Sequence, residues 1–215
     1  MTPQEFAQII SVSRETLDKL TLYAEILNQW QKSINLVGPK TLPEIWERHF
    51  LDSAQLWSHL PPNCSSLVDF GSGAGFPAMV LAIMGIPDVH MIESDVRKSA
   101  FLQEVARQTS TKVTIHNQRI EKVKNLQVAV VTARAFASIE EILPLAVTFL
   151  SEKGEIYLLK GKSYQEELTQ ARKTWHIEGD DFPSLSDPSG RILKLKEVRR
   201  DCSRNSHSQS KGRSG

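Results

Sequence analysis

An apolar segment that ends in an acidic residue and runs into three glycines at alternate positions constrains this chain more than any other feature. It is LVDFGSGAGFPAMVL, residues 67–81. Gly71 can take the positive φ of a tight turn, and Gly73 and Gly75 let a ligand approach the backbone without meeting a Cβ. Pro77 is expected to start the next helix. A strand, a glycine turn and a helix N-terminus in this order put a ligand over the carboxyl edge of a parallel sheet. Glu93, at the end of the next apolar run, stands where an acidic side chain accepts both hydroxyls of a ribose.

The spacing of the glycines separates two classes of nucleoside ligand. A dinucleotide loop spaces its glycines by two and then three, because a pyrophosphate sits on the helix N-terminus. Here the third step falls on the bulky Phe76, and Asp69 just before the loop would repel a diphosphate. The pattern suits a ligand with an amino acid moiety and no phosphate, for which S-adenosylmethionine is the candidate; Asp69 or backbone carbonyls would meet its ammonium. A nicotinamide-dependent reductase is disfavoured on the same ground. In such a sheet the loop HNQRIEKV, residues 116–123, borders the adenine pocket. Ile120 could touch the ring and Glu121 or a backbone amide its polar edge, the alternative being an ordinary helix start with surface charges.

The rest of the chain supports an α/β reading. From Ser66 onward short apolar runs alternate with helix-length amphipathic stretches, the pattern of a parallel sheet with helical crossovers. Strands are expected at Ser66–Phe70, Val89–Glu93, Val113–His116, Val128–Thr132 and Glu155–Leu159, with a closing hairpin from Trp175–Gly179 and Ile192–Val198. Helices are expected at Pro77–Met84, Asp95–Thr109, Ile139–Leu150 and Gln165–Thr174. Residues 1–62 read as a helical extension. Thr2, Pro3 and Glu5 form a capping box, Leu17, Leu20, Ala24, Leu27 and Trp30 make one apolar stripe over Ser13–Lys32, and Thr41 with Glu44 repeats the capping spacing before a third helix through Trp46, Phe50 and Trp57. The expected division is 1–62 extension, 63–200 catalytic domain and 201–215 basic tail.

Charge and cysteine content narrow the function classes. Residues 191–215 hold eight Lys or Arg against two acids, a net +6, which leaves −5 on residues 1–190. A basic tail on an acidic body can add phosphate affinity or simply be a solvated terminus. Cys64 and Cys202 show neither metal-ligand spacing nor a disulfide framework, so no metal is expected. The most apolar run, Phe76–Pro87, is too short to span a bilayer, and a cytoplasmic protein without membrane partners is expected. A monomer is the simplest expectation.

The segment after the fourth strand, VVTARAFAS at 130–138, faces the acceptor. It lacks the Asn or Asp and the paired prolines that exocyclic-amine methylation uses, and the cysteines lie far from it, which argues against carbon methylation through a covalent adduct. This leaves a nucleophile needing no base, such as a ring nitrogen. Guanine N7 carries no proton and can attack a sulfonium methyl once it is aligned in a dry site. Arg134 could hold guanine O6, a phosphate or the cofactor carboxylate, or serve only as a salt bridge at the sheet edge.

In order along the chain, NLVG (35–38), ERHFLDS (47–53), DFGSGAGFP (69–77), ESDVRKSAFL (93–102), RIE (119–121), ARAFAS (133–138) and LLKG (158–161) resemble the RsmG, or GidB, family of 16S ribosomal RNA guanine-N7 methyltransferases. The resemblance covers roughly residues 20–162. It implies a class I methyltransferase fold, Rossmann-like and doubly wound, with a mostly parallel seven-stranded sheet. It also implies S-adenosylmethionine as donor, and a guanine in the decoding-region hairpin loop of 16S ribosomal RNA, free or in the small ribosomal subunit, as acceptor. By position it puts cofactor contacts on Gly71, Phe76, Ile120, Glu121 and Arg134, with Glu93 at the ribose. Asn35, Arg48, Lys98 and Lys160, with His49, fall on the RNA side. His49 and Asp52, three apart on one helical face, could orient each other or pin the extension to the core. Ala78 stands where the family usually has glycine, Arg97-Lys98 where it has two lysines, and the C-terminus lacks its Tyr-Pro-Arg segment. The competing reading is a silent RNA- or ribosome-binding module on the same fold.

Overall fold

The computed structural model describes residues 1–201; the expected tail from 202 onward, with Cys202, lies outside the described residues. Helix α1 (Pro3–Ile10) starts with the full capping box, the Glu5 amide donating to Thr2 Oγ1 at 3.2 Å and the Thr2 amide to Glu5 Oε2 at 2.7 Å. Helix α2 (Arg14–Trp30) is capped by Ser13, whose Oγ accepts from the Thr16 amide. Its apolar stripe buries Leu20, Tyr23, Ala24 and Leu27.

The third helical segment departs from expectation. Thr41 and Glu44 form turns, and the Thr41 hydroxyl bonds Gly38 O and His49 instead of capping a helix. A π-helical turn, Trp46–Leu51, comes next and runs into the short α3 (Asp52–Ala54) and a 3₁₀ turn, Gln55–Ser58. Widened turns of this type recur at functional sites. Here it buries Trp46, His49, Phe50 and Leu51 on one element.

The remainder of the chain holds seven strands: β1 (Ser66–Phe70), β2 (Asp88–Ile92), β3 (Thr114–His116), β4 (Val128–Arg134), β5 (Leu150–Lys160), β6 (Trp175–Pro183) and β7 (Arg191–Arg200). They form one sheet in the order β3-β2-β1-β4-β5-β7-β6, parallel except for β7, which is antiparallel to both neighbours. Helices α4 (Ala78–Met84), α5 (Val96–Gln108), α6 (Ile139–Ala146) and α7 (Tyr164–Ala171) cross between strands. Helix α6 is shorter than the expected Ile139–Leu150, because the chain turns after Val147 and Leu150 already pairs with Val128 in β5.

Alternation along the strands sends side chains to two cores. Leu67, Val130 and Tyr157 pack with α4, α5 and the extension, while Val68, Val131, Ile156 and Leu158 pack with α6 and α7. Phe6, Leu20, Leu27 and Phe50 lie in the same cluster as Met79 and Phe101, so residues 1–62 complete the core on that face. Phe70 pairs with Ile92 on one side and Ala133 on the other, which brings Gly71, Glu93 and Arg134 to one edge. Strand order reverses between β1 and β4, the switch point at which open sheets of this type bind ligands. Among the described residues no helix is long and apolar enough to cross a membrane.

Candidate functional site

The loop after β1 is held open by backbone conformation and by one carboxylate. Gly71, Gly73 and Gly75 have φ of 62°, 56° and 93°, the left-handed region that residues with a Cβ avoid. Glu93 is buried. Its Oε2 accepts from the Gly73 amide at 2.8 Å and its Oε1 from the Asp95 amide at 2.7 Å, which ties the β1–α4 loop to the β2–α5 turn. Asn117 donates to Glu93 O and Ser99 Oγ, both at 2.9 Å, and so fastens the loop after β3 to the same turn.

The three glycines do not share one task. A Cβ on Gly73 would have only Gly71 O near it, at 3.8 Å, so that backbone face is open. A Cβ on Gly75 would lie 2.7 Å from Tyr23 Oη and 2.9 Å from a Leu102 methyl, which makes Gly75 a packing glycine and not the ligand-facing one expected. Tyr23 also donates to Ala74 O, anchoring the loop from α2. Phe76 turns its side chain into the core against Tyr23, His49 and Phe50. It is 4% exposed, so its ring cannot form the wall of a ligand site.

Asp69 is fully buried at the end of β1. Its Oδ1 accepts from Thr132 Oγ1 at 2.7 Å, and its Oδ2 has no partner. Burial pushes its pKa up to about 7, against the lowering effects of Ser72, Thr132 and the positive charge of Arg134. A buried carboxylate with an orphan oxygen is suited to a cationic ligand group. A cleft of about 240 Å³ opens beside the glycine loop, lined among others by Gly71, Glu93, Ser94, Ile120, Glu121 and Phe136. Ile120 is buried in its floor and Glu121 exposed at its edge, on a 3₁₀ turn.

On the other side of Phe136 lies a larger cleft of about 640 Å³, whose lining includes Arg48, Asp52, Arg134, Lys160, Asp187 and Arg191. Arg134 is its central group. Nη1 donates to Arg48 O at 3.2 Å and to Asp52 Oδ2 at 3.1 Å, and Nη2 contacts His49 Nδ1 at 2.8 Å, with the guanidinium 5.1 Å from the Phe76 ring centre. Burial first, then Arg134 and Arg48, depress the His49 pKa to about 3, so the ring is neutral. A guanidinium only donates, so Nδ1 accepts and the proton is on Nε2, which donates to Thr41 Oγ1 at 2.8 Å.

His49 and Asp52 therefore do not pair with each other; both hold Arg134. Asp52 Oδ1 also accepts from Gln55 Nε2 at 3.0 Å and Ser186 Oγ at 2.6 Å, which joins the extension to the β6–β7 loop. Buried and bonded at both nitrogens, His49 does not fit the RNA contact expected of it. Arg48 bonds Asp187 Oδ2 at 3.0 Å and Ser186 O at 3.1 Å, and Lys160 bonds Glu167 Oε2 at 2.8 Å and Ala137 O at 2.6 Å, so both arrive at the cleft already paired. Asn35 is exposed beyond α2, and Lys98 lies in the first turn of α5, away from this cleft. Among the described residues the one grouping that could share a cation, His176, Glu178 and Glu197, lies on the β6–β7 hairpin and lines neither cleft.

Comparison with protein families decides what this arrangement belongs to. A model of the GidB family, described as rRNA small subunit methyltransferase G, matches residues 16–191. The chain belongs to the GidB family. Among its relatives is a ribosomal RNA small subunit methyltransferase G of Paramagnetospirillum magneticum, 53% identical over 200 residues that cover 93% of this chain and 98% of that one. The namesake of Rhodospirillum rubrum is 50% identical over 93% of this chain and all (100%) of its own.

Solved structures agree on the fold. A SAM dependent methyltransferase from Aquifex aeolicus aligns with a TM-score of 0.57 at 12% identity, covering 72% of this chain and 93% of that one. M. jannaschii TYW2 in complex with AdoMet aligns with a TM-score of 0.55 at 14% identity, covering 79% and 80%. The GidB-family chain is thus a methyltransferase on the class I, Rossmann-like α/β fold. Sequence reasoning did not single out Tyr23, Asn117, Thr132, Gln55, Ser184 or Ser186, all of which hold the site. Tyr23 carried one signal, its place in the apolar stripe of α2.

Proposed function

We propose that the protein transfers the methyl group of S-adenosylmethionine to N7 of a guanine in 16S ribosomal RNA. The observation that carries this reading is the state of the larger cleft: its three carboxylates are all engaged by cations. Asp52 holds Arg134, Glu167 holds Lys160 and Asp187 holds Arg48. Neither cysteine nor histidine lines it among the described residues, and Cys64 lies beside Trp57 and Pro61 in a separate groove. Such a cleft offers no free base to take a proton and no thiolate to attack a ring carbon. It suits an acceptor atom that arrives as a lone pair and loses no proton.

The residues beside the glycine loop fit the donor. Asp69 lies buried beneath the loop with Oδ2 unpaired and adds negative field for the ammonium, the bare face of Gly73 admits the amino acid moiety, and Glu93 with Ile120 and Glu121 suits a ribose and an adenine. When bound, the cofactor supplies a sulfonium methyl, an electrophile that needs no further activation. Arg134, fixed from three sides, keeps the acceptor cleft polar at one point and can donate to the carbonyl edge or phosphate of a nucleotide as its remaining N–H groups allow. Arg48, Lys160 and Arg191 also line the cleft, paired with Asp187, Glu167 and Asp181, and can meet the RNA backbone with the N–H groups those pairs leave over.

The reading is tested by mass spectrometry of nucleosides from 16S ribosomal RNA of cells with and without the gene. Loss of one 7-methylguanosine in the deletion, restored by the intact gene, is expected. An unchanged 7-methylguanosine content would overturn it.

A further inference from the structure

Phe136 is the only aromatic residue, among the described ones, that lines either cleft, and it lines both. It is 40% exposed, in contrast to the buried rings of Phe70, Phe76 and Phe101. Its position is built. Ala135, just before it, has φ 49°, a left-handed conformation unfavourable for a residue with a Cβ and kept only where the surroundings enforce it. The ring lies against Gly71: a Cβ at that position would be 2.4 Å from Phe136 Cδ2, so glycine is what lets the ring rest on the backbone. Phe70 supports it from the core side at 6.4 Å between ring centres and 65° between planes. The chain thus presents a braced, solvent-facing aromatic surface between a nucleoside-sized cleft and a cleft rimmed by Arg48, Lys160 and Arg191.

An exposed ring beside cationic groups is how proteins hold an unstacked base, the ring taking the π-face and the cations the phosphates. We propose that Phe136 is the platform on which the acceptor purine stacks, setting its height so that N7 meets the methyl group. This rests on the proposed function and adds the residue that positions its substrate. Stacking is sequence-tolerant, so Phe136 would orient the base while polar groups such as Arg134 choose it.

The test compares Phe136→Leu, Phe136→Tyr and the unchanged protein. The three measurements are S-adenosylmethionine affinity by calorimetry, kcat/KM on small subunits lacking the modification, and fluorescence of a target hairpin carrying 2-aminopurine in place of the acceptor guanine. Phe136 is exposed, and a melting curve checks that each variant is folded. The Leu variant is expected to lose about tenfold or more in kcat/KM at saturating S-adenosylmethionine, clearly more than it loses in cofactor affinity, and to fail to quench 2-aminopurine; the Tyr variant is expected to restore both, in line with the cost of removing a stacking ring. A Leu variant as active as the unchanged protein, or one whose cofactor affinity falls as far as its rate, would overturn the proposal. Absence of guanine methylation by the unchanged protein would remove the underlying reading as well, so the two failures are distinct.

Discussion

The glycine loop beside the donor cleft is shaped mainly by residues near it in sequence, and the acceptor cleft by residues far apart. Glu93 reaches Gly73 across twenty positions within one β-α-β unit, and the glycine turn is shaped by its own φ angles, with Tyr23 of α2 as an anchor from the extension. Arg134, in contrast, is held by Arg48, His49 and Asp52 from the extension, while Asp52 and Arg48 are held in turn by Ser186 and Asp187 of the β6–β7 loop. The first region depends on backbone shape and the second on matched charges drawn from three parts of the chain. Damage to the two should therefore look different.

The sharpest contrast lies inside the glycine loop. In Gly75→Val the new side chain meets Tyr23, Leu102 and Met79 at φ 93°, and a loss of stability of about 3 kcal/mol or more is expected. Gly73→Ala meets no atom closer than 3.8 Å and should cost only the left-handed backbone, about 1–2 kcal/mol. On the proposed reading, in which the open face of Gly73 receives the amino acid moiety, it should fold and yet bind S-adenosylmethionine about tenfold or more weakly. Thermal melts and calorimetry on both variants check this; equal stability loss at the two positions would erase the distinction.

On the acceptor side, Asp52→Ala removes the carboxylate from a pair whose side chains are each 17% exposed and leaves Arg134 uncompensated. We expect about 2 kcal/mol of destabilisation, less than for a fully buried pair, as measured by denaturant unfolding. Asp52→Asn, which keeps one acceptor for Ser186 and Gln55, should recover part of it. Cofactor affinity should change little in either.

The two regions also titrate in opposite directions. Asp69 has a folded pKa of about 7 against an ordinary 3.8, so its contribution to stability is lost as pH rises through that window. His49 has a folded pKa of about 3 against an ordinary 6.5, so its contribution is lost as pH falls through its window. Between about pH 4 and 6.5 the slopes oppose, each approaching about 1.4 kcal/mol per unit. Asp69→Asn should therefore leave stability rising with pH, and His49→Asn should leave it falling. Urea midpoints at pH 4.5, 5.5 and 6.5 measure the slopes, and parallel profiles for the two variants would contradict the assignment.

Much of the donor side was legible because its determinants are local. The strand ends, the glycine turn and Glu93 all come from apolar runs and short spacings, and the observed β1, β2 and β4 begin or end within a residue or two of expectation. The acceptor side was less so. Arg134 stood out as a charge after β4, but its partners could not be found from spacing, since Asp52 lies 82 residues away. The stretch between the two strands of the expected closing hairpin carried no site assignment, whereas Ser184, Ser186 and Asp187 brace the cleft. Thr41 and Glu44 had the spacing of a cap, yet the hydroxyl is drawn to His49 by a tertiary contact, and the helix begins as a π turn instead.

The smallest expected effect concerns the outer surface. Lys98 makes no salt bridge among the described residues, so Lys98→Gln should leave folding unchanged. If the lysine touches a phosphate, the change should lower the salt dependence of RNA binding by about 0.7 in the log–log slope. Filter binding at several salt concentrations measures it.

Guanine N7 as the accepting atom can be tested with small-subunit RNA transcribed with either guanosine or 7-deazaguanosine, assembled with small-subunit proteins and incubated with the enzyme and methyl-labelled S-adenosylmethionine. Label is expected in the guanosine particle and none in the 7-deaza particle, which has carbon in place of the accepting nitrogen. Equal labelling of both would contradict transfer to N7.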